Sequence, residues 1–252
     1  MPNLPMHIYI ARQVAKELDW GFVHDHLGSC FLGSTTPDIR AMTKWDRERT
    51  HFAPLSLESV GTGTRRMFEL YPELADRNSL NPATRSFVLG YVSHLAADET
   101  WITTMFRPHF SSDNRLAGSD EEAQIWDRAL QLDMDRQAHL ELDGFAREGE
   151  AICGGELDVA IDFIGQDVLA EWRQWVARFM SWEFDWQRLK RALNRMYRDN
   201  DDVQEMVDRF LSDMPDSLEA VYERIPRQKV EAYRQQAVEQ TLLQIKEYLG
   251  EA

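Results

Sequence analysis

Apolar residues recur with the helical period along almost the whole chain. In the first such run, Ile10, Val14 and Leu18 are spaced four residues apart and would share one face of a helix. Similar runs predict helices over residues 6–19, 56–71, 82–105, 120–147, 157–180, 184–198, 201–213 and 216–249. No strand is needed to account for the pattern, which therefore predicts an all-α fold.

Proline and glycine residues mark the breaks between these helices. The stretch from Gly149 to Gly155 is the clearest soft boundary. It predicts a helical domain of residues 1–150 and a helical C-terminal region, residues 151–252, that packs on it; one continuous domain is the alternative. The amphipathic tail over residues 226–249 would either pack on the body of the protein or form a homodimer with a second copy.

Composition and charge limit the classes of partner. The chain has 252 residues, of which 43% are hydrophobic, enough to bury one large core or two modest ones. With 28 basic and 43 acidic residues, its formal net charge is −15 at pH 7. Such a surface repels phosphate backbones and anionic membranes, so we expect no nucleic acid substrate and no stable association with a membrane.

The sequence also bears on cellular location. The first twenty residues contain Arg12, Lys16 and Asp19, and they lack the continuous apolar core of a signal peptide. The two cysteines, Cys30 and Cys153, form no Cys-x-x-Cys motif, which argues against a thiolate zinc site or a disulfide framework. We therefore predict a cytoplasmic protein.

The strongest chemical signal lies in residues 90–99, where His94 and Asp98 stand four residues apart in a helix-forming run. Residues i and i+4 share one helix face at about 5–6 Å between Cβ atoms, so one cation can contact both side chains. The surrounding residues are mostly apolar, and an unpaired charge among them would be costly. The pair predicts either a metal site or a core histidine hydrogen-bonded to an aspartate.

Further candidate metal ligands lie within the first hundred residues. His7 begins the first amphipathic run, Asp38 lies in the turn-forming stretch 33–39, and His51 ends an Arg-Thr-His sequence. A carboxylate on a turn made rigid by proline is a preorganised ligand. Together with His94 and Asp98, these residues supply three imidazoles and two carboxylates. This mixed set suits zinc, manganese or iron and not calcium.

The order of these residues resembles the zinc-dependent phospholipase C family, which is related in fold to the single-strand-specific zinc nucleases. The similarity covers about residues 4–100. It includes a histidine in the first helix, a Leu-Gly pair before a Pro-Asp-Ile turn, a Thr-His pair, and the motif Phe-x-x-Gly-Tyr-x-x-His-x-x-x-Asp beginning at Phe87. The resemblance implies a multi-helical bundle with one to three zinc ions in a cleft, here extended by further C-terminal helices.

The resemblance also implies roles for individual residues. It gives one metal ion four ligands: Asp38, His51, His94 and Asp98. Asp98 would bridge to a neighbouring ion that His7 also holds, and Asp38 would be the catalytic carboxylate that orients the attacking water. No residue is assigned to an organic cofactor.

Further family ligands lie downstream, as one histidine and a His-x-x-x-Glu pair. Here the corresponding candidates are His109 and the pair His139 and Asp143, which repeats the i, i+4 spacing. These three residues are the candidate ligands of a second or third ion.

Three functions are compatible with these features. The first is hydrolysis of a small, soluble phosphate ester by a metal-activated water, which would make the protein a zinc-dependent phosphoric ester hydrolase. The second is an HD-type metal phosphohydrolase, suggested by the adjacent His24 and Asp25 with a distant Asp98. The third is a noncatalytic helical scaffold that keeps a structural metal or none and binds a partner through its tryptophan-rich C-terminal half.

Overall fold

The computed structural model describes residues 1–76, 78–154, 158–198 and 200–250. All regular elements in these ranges are helices, so the predicted all-α fold is confirmed. The first part of the chain forms α1 (Leu4–Leu18), α2 (Gly21–Asp25), α3 (Leu27–Thr35), α4 (Arg40–Thr43), α5 (Glu48–His51), α6 (Thr62–Leu70), α7 (Pro82–Trp101), α8 (Arg107–His109) and α9 (Asp120–Glu141). The second part forms α10 (Ala146–Gly154), α11 (Gln166–Met180), α12 (Gln187–Met196), α13 (Asp201–Ser212), α14 (Asp216–Arg224) and α15 (Arg227–Leu249).

Several predicted helices match the structure, and the differences lie at breaks. Helices α1, α7 and α13 match their predicted limits within a few residues. The predicted helix 120–147 is divided into α9 and α10, because Asp143 (φ 54°) and Gly144 (φ 89°) adopt the left-handed conformation that ends a helix. The predicted helix 216–249 is divided into α14 and α15 at Pro226, which cannot donate a backbone hydrogen bond.

Two other predicted helices are too long at their amino-terminal ends. Helix α6 begins six residues after the predicted start at residue 56, and α11 begins at Gln166. The predicted start of the latter at residue 157 lies outside the described residues.

The prediction also missed the short helices between residues 21 and 51. The predicted turn over residues 33–39 is the last turn of α3 followed by a 3₁₀ turn, Thr36–Ile39. Runs this short give too few apolar repeats for the helical period to appear in the sequence.

Helix α3 crosses α7 at very short distance in the centre of the protein. A Cβ atom added to Gly33 would lie 2.0 Å from the backbone oxygen of Phe87. A Cβ atom added to Gly90 would lie 1.9 Å from the backbone oxygen of Cys30. Because real side chains do not approach backbone atoms this closely, only glycine at these two positions allows the crossing.

The C-terminal helices pack on this centre. Helix α15 lies along α7, where Tyr233 meets Trp101 edge-on with 4.9 Å between ring centroids. Helices α10 and α11 cover α3, and the indole of Trp172 donates a hydrogen bond to Thr35 Oγ1 at 3.3 Å. The apolar face of α15 therefore packs within the chain, and the predicted homodimer would have to use outer faces of the C-terminal helices.

One cluster of buried apolar residues extends from α1 to α15. Helix α10 passes through most of the predicted boundary at residues 149–155, of which residue 155 lies outside the described part of the chain. The division at residue 150 stays a prediction. Among the described helices, none has both the length and the apolar character needed to cross a membrane.

Helix α9 buries a carboxyl group that forms no direct ion pair among the described residues. Asp135 is 2% exposed and accepts a hydrogen bond from Asn3 Nδ2 at 2.9 Å. Its second oxygen, Oδ1, has no hydrogen-bond partner among the described residues. Burial raises the pKa of Asp135 to about 7, with the Asn3 contact and the charge of Arg188 acting in the opposite direction.

The close helix crossing gives a first prediction. We expect Gly90→Ala to reduce the free energy of unfolding by about 1–3 kcal/mol, because the added methyl group collides with the backbone of α3. Urea denaturation monitored by circular dichroism measures the change. Gly21→Ala is the matched control, since a Cβ atom there has no neighbour within 4 Å. Equal stability of the two variants would contradict this account of the crossing.

The buried carboxyl of Asp135 gives a second prediction. Above pH 4 the unfolded chain releases this proton before the folded protein does, so the free energy of unfolding should fall as the pH rises toward 7. Asp135→Asn should remove that contribution and stabilise the protein at pH 8 by on the order of 2–4 kcal/mol. Denaturation at pH 5 and pH 8 tests this against Asp25→Asn, which alters an exposed carboxyl. The interpretation fails if Asp135→Asn destabilises the protein at both pH values.

Candidate metal centre

His94 and Asp98 lie on the buried face of α7, one turn apart, and are 0% and 1% exposed. His94 Nδ1 lies 2.8 Å from the backbone oxygen of Ser34. A carbonyl oxygen can only accept, so Nδ1 carries the proton and Nε2 keeps its lone pair. Burial, followed by the neighbouring His7, lowers the pKa of His94 well below its usual range, so the ring is neutral. A neutral imidazole is the form that binds metals.

His51, the last residue of α5, is oriented by a similar contact. The hydroxyl of Thr50 donates to the backbone oxygen of Pro37 at 2.8 Å, and it lies 3.2 Å from His51 Nδ1. The Thr50 hydroxyl donates its proton to the Pro37 oxygen, so it accepts in its contact with His51. Nδ1 of His51 is therefore the donor in that contact, and Nε2 is left as an acceptor. The hydroxyl of Tyr91 donates to the backbone oxygen of Thr50, which holds α5 against α7.

Four potential ligand atoms converge at this point: Asp38 Oδ1, His51 Nε2, His94 Nε2 and Asp98 Oδ2. His51 Nε2 lies 3.7 Å from the Asp38 atom, 3.3 Å from the His94 atom and 3.2 Å from the Asp98 atom. The His94 and Asp98 atoms are 3.8 Å apart. Two ligands of a tetrahedral zinc ion are about 3.3–3.6 Å apart, given bonds of ~2.0–2.2 Å. These separations fit a zinc site.

The same atoms would repel one another without a cation. With both Nδ1 atoms acting as donors, the lone pairs of His51 Nε2 and His94 Nε2 face each other at 3.3 Å. Two carboxylate groups complete the cluster, and ionised carboxylates also only accept hydrogen bonds. A cluster of nitrogen and oxygen acceptors arranged in this way is typical of a transition-metal site.

His7 on α1 belongs to a second, overlapping set with His94 and Asp98. Its ring stacks on the ring of His94, with 3.7 Å between centroids and 14° between planes. Its Nε2 atom lies 3.5 Å from Asp98 Oδ1. Within the described chain, neither ring nitrogen of His7 has a hydrogen-bond partner. The structure thus brings together all five residues that the resemblance assigned to metal ions.

The centre also contains Arg47, which the sequence analysis missed. Its Nη2 atom donates to Asp98 Oδ2 at 2.9 Å. Burial by itself would raise the pKa of Asp98; the positive charge of Arg47 acts in the opposite direction and helps to hold this pKa well below its usual range. Nothing in the sequence relates residue 47 to residue 98, because the contact depends on how α5 lies against α7.

Glu99, beside Asp98, was also missed, and it fixes the next element. Its carboxylate accepts backbone N–H bonds at the start of α6, from Gly61 at 2.5 Å, Thr62 at 3.0 Å and Gly63 at 2.6 Å. Such a carboxylate caps a helix amino terminus. A Cβ atom on Gly63 would lie 2.4 Å from the backbone oxygen of His51, so the start of α6 passes very close to the end of α5.

The three downstream candidates lie elsewhere. Among the described residues, neither set of candidate ligands includes His109, His139 or Asp143. His109 is buried, and burial followed by the charge of Lys229 lowers its pKa. The ring of His139 packs near Phe145, with 6.0 Å between centroids, and Asp143 is exposed at the end of α9. Their assignment to a second or third ion stays a prediction.

The dyad of the HD-type alternative is on the surface. His24 and Asp25 are exposed on α2, and His24 Nε2 contacts Asp19 Oδ1 at 2.9 Å. In the described part of the chain, neither residue of the dyad joins a candidate metal set. This geometry offers no support for the HD-type alternative.

Comparison with known families agrees with the site. The family model described as zinc-dependent phospholipase C matches residues 6–139, just over half of the chain and a longer segment than the predicted similarity over residues 4–100. The matched segment contains all five residues of the two candidate sets. No curated protein and no solved structure gave a significant match. The chain belongs to the zinc-dependent phospholipase C family.

Proposed function

We propose that this protein is a zinc-dependent phosphoesterase that hydrolyses a soluble phosphate ester. Membership of a family of metal-dependent hydrolases supports the reaction class. The observation that carries the proposal is the cluster of four acceptor atoms whose imidazole members are oriented by Ser34 and Thr50. Histidine ligands of metals are commonly oriented in this way by a hydrogen bond from the other ring nitrogen.

The zinc ion would be held by Asp38, His51, His94 and Asp98. When bound, zinc supplies a Lewis acid for the phosphoryl oxygen and lowers the pKa of a coordinated water to near neutrality. Manganese or iron would suit the same ligands.

The protein side chains position the reactants around this ion. The Asp38 side chain is 30% exposed, whereas those of His51, His94 and Asp98 are at most 2% exposed, so the centre opens to solvent beside Asp38. Asp38 Oδ1 faces His51, which leaves the other oxygen to accept a hydrogen bond from an attacking water. The buried residues keep water away from the rest of the centre, which strengthens its electrostatic interactions.

A soluble substrate is favoured over assembled lipid because the protein carries a net charge of −15. Helix α12 is basic and amphipathic, yet its leucines are buried. Its Lys190 pairs with Asp208 at 2.5 Å and its Arg191 pairs with Asp185 at 3.0 Å. These ion pairs reduce the charge that α12 could offer to an anionic membrane.

The first test removes metal ligands. We expect His94→Ala and Asp98→Ala to reduce zinc content and to lower the rate of phosphodiester hydrolysis by more than about 100-fold, because each removes a ligand. Elemental analysis and hydrolysis of a chromogenic phosphodiester measure the two effects on protein purified without chelator.

His24→Ala is the control, since this exposed histidine should leave both zinc content and rate unchanged. Less than one equivalent of transition metal in the wild-type protein would contradict the proposal. The HD-type alternative would replace it if His24→Ala and Asp25→Ala abolished activity while Asp38→Ala did not.

The second test concerns the substrate. We expect soluble phosphate esters and monomeric short-chain lecithin to be hydrolysed faster than liposomes of the same headgroup, and we expect little protein to sediment with neutral liposomes. Rates on a panel of these substrates and a co-sedimentation assay provide the measurement. Preference for assembled lipid over every soluble ester, together with strong liposome binding, would overturn the proposal.

A further inference from the structure

A pocket outside the candidate metal centre is lined mainly by α9, α11, α12 and the loop between the last two. Three of its lining residues carry ionisable side chains: Asp135 and His139 on α9, and Arg188 on α12. Among the described residues, none of the three belongs to a candidate metal set. The walls are largely aromatic and are formed by Phe145, Phe179, Trp182 and Phe184. A concave apolar surface that holds a few polar groups is the usual form of a small-molecule site.

Arg188 is a half-buried guanidinium without a carboxylate partner. It donates through Nη2 to the backbone oxygens of Trp182 at 3.4 Å and Glu183 at 3.0 Å, and it lies 4.9 Å from the ring centroid of Phe179. Within the described chain it makes no ion pair. Arginine binds carboxylate and phosphate groups through paired N–H donors. The remaining N–H groups of Arg188 are therefore suited to an anion.

Asp135 offers a second donor to the same pocket. Its Oδ2 atom accepts a hydrogen bond from Asn3, and its Oδ1 atom is buried without a partner among the described residues. Because burial raises the pKa of Asp135 to about 7, the carboxyl group keeps its proton in mildly acidic solution. With Oδ2 acting as an acceptor, that proton lies on Oδ1. A protonated carboxyl group donates this proton to an acceptor atom of a ligand.

His139 is the third polar group of the pocket. Its ring lies near Phe145, and it has no hydrogen-bond partner in the part of the chain that the structure describes. A neutral imidazole supplies one N–H donor. The three polar side chains can therefore all donate to one ligand, and a ligand that only accepts, such as a carboxylate, satisfies them together. A cationic ligand would instead place a second positive charge beside Arg188.

We propose that this pocket is a second binding site, separate from the metal centre, for a small organic anion. The acidic head of the ligand accepts hydrogen bonds from Arg188, Asp135 and His139. Its apolar body lies against Trp182, which is 52% exposed, and so removes aromatic surface from water. The site does not rest on the proposed function, since none of these residues is among the proposed zinc ligands.

Three phenyl compounds of similar size test the charge of the ligand. Benzoate, benzamide and benzylammonium are titrated into isotope-labelled full-length protein at about pH 6, where Asp135 keeps its proton. The indole N–H resonance of Trp182, identified by its loss in Trp182→Phe, reports binding in this pocket. We expect benzoate to shift it and to bind about tenfold or more tightly than benzamide, because hydrogen bonds to a charged group are stronger. Benzylammonium should bind more weakly than either.

Variants of the polar residues test the assignment. Arg188→Gln should weaken benzoate binding by about tenfold or more, because the charged donor is lost. Arg191→Gln is the matched control: it removes the same charge from the same helix, but from an exposed side chain that pairs with Asp185. Asp135→Asn should retain benzoate binding, since an amide group can donate the same hydrogen bond.

Four results would overturn the inference. Three are an unshifted Trp182 resonance, tighter binding of benzylammonium than of benzoate, and loss of benzoate binding in Asp135→Asn. The fourth is equal benzoate affinity in Arg188→Gln and Arg191→Gln, which is the result expected if benzoate bound only to zinc. If Arg188→Gln does not fold, Arg188→Lys keeps the charge without the paired N–H groups. It should bind benzoate more weakly than the wild type yet still prefer benzoate to benzamide, and loss of that preference would contradict the inference.

Discussion

The close crossing of α3 and α7 is the constraint on which the candidate metal centre depends. Gly33 and Gly90 let the two helix backbones touch, and no other residue would fit at either position. The crossing brings the backbone oxygen of Ser34 to His94, and it carries Asp38, just after α3, to the same end of α7. The two glycines therefore influence the candidate metal centre by setting the distance between α3 and α7, although neither could contact a metal or a substrate.

Asp98 connects the charges of this centre to the stability of the fold. A buried carboxylate is costly unless it is paired, and here Arg47 supplies the paired charge while three imidazoles lie close by. The imidazoles are drawn from separate elements, α1, α5 and α7, so the centre forms only when these elements are assembled. An ion bound here would bind the folded chain and not the unfolded one, and would add its binding free energy to folding.

Hydrogen bonds to backbone groups orient several side chains around the centre. The oxygen of Ser34 holds His94 directly, and the oxygen of Pro37 holds His51 through the hydroxyl of Thr50. On the other side of the centre, Glu99 binds three backbone N–H groups at the start of α6. Backbone atoms within packed helices and turns move little, so the histidines are held in place before any ligand arrives.

The sequence alone determined the helical fold and the candidate metal ligands. The helical period appears wherever a run is long enough, and the i, i+4 spacing of His94 and Asp98 is a local property of one helix. The order of motifs from His7 to Asp98 identified the family. These features are local or ordered along the chain, so they can be read without coordinates.

Only the tertiary structure decided which side chains meet. It left His109, His139 and Asp143 outside the candidate sets of the described chain and placed Arg47 against Asp98. It also showed that the glycine at residue 33, expected in a turn, is a helix contact. Such contacts depend on the distance at which helices cross and on the direction in which each side chain points. Both involve elements far apart in sequence, so neither can be inferred from spacing along the chain.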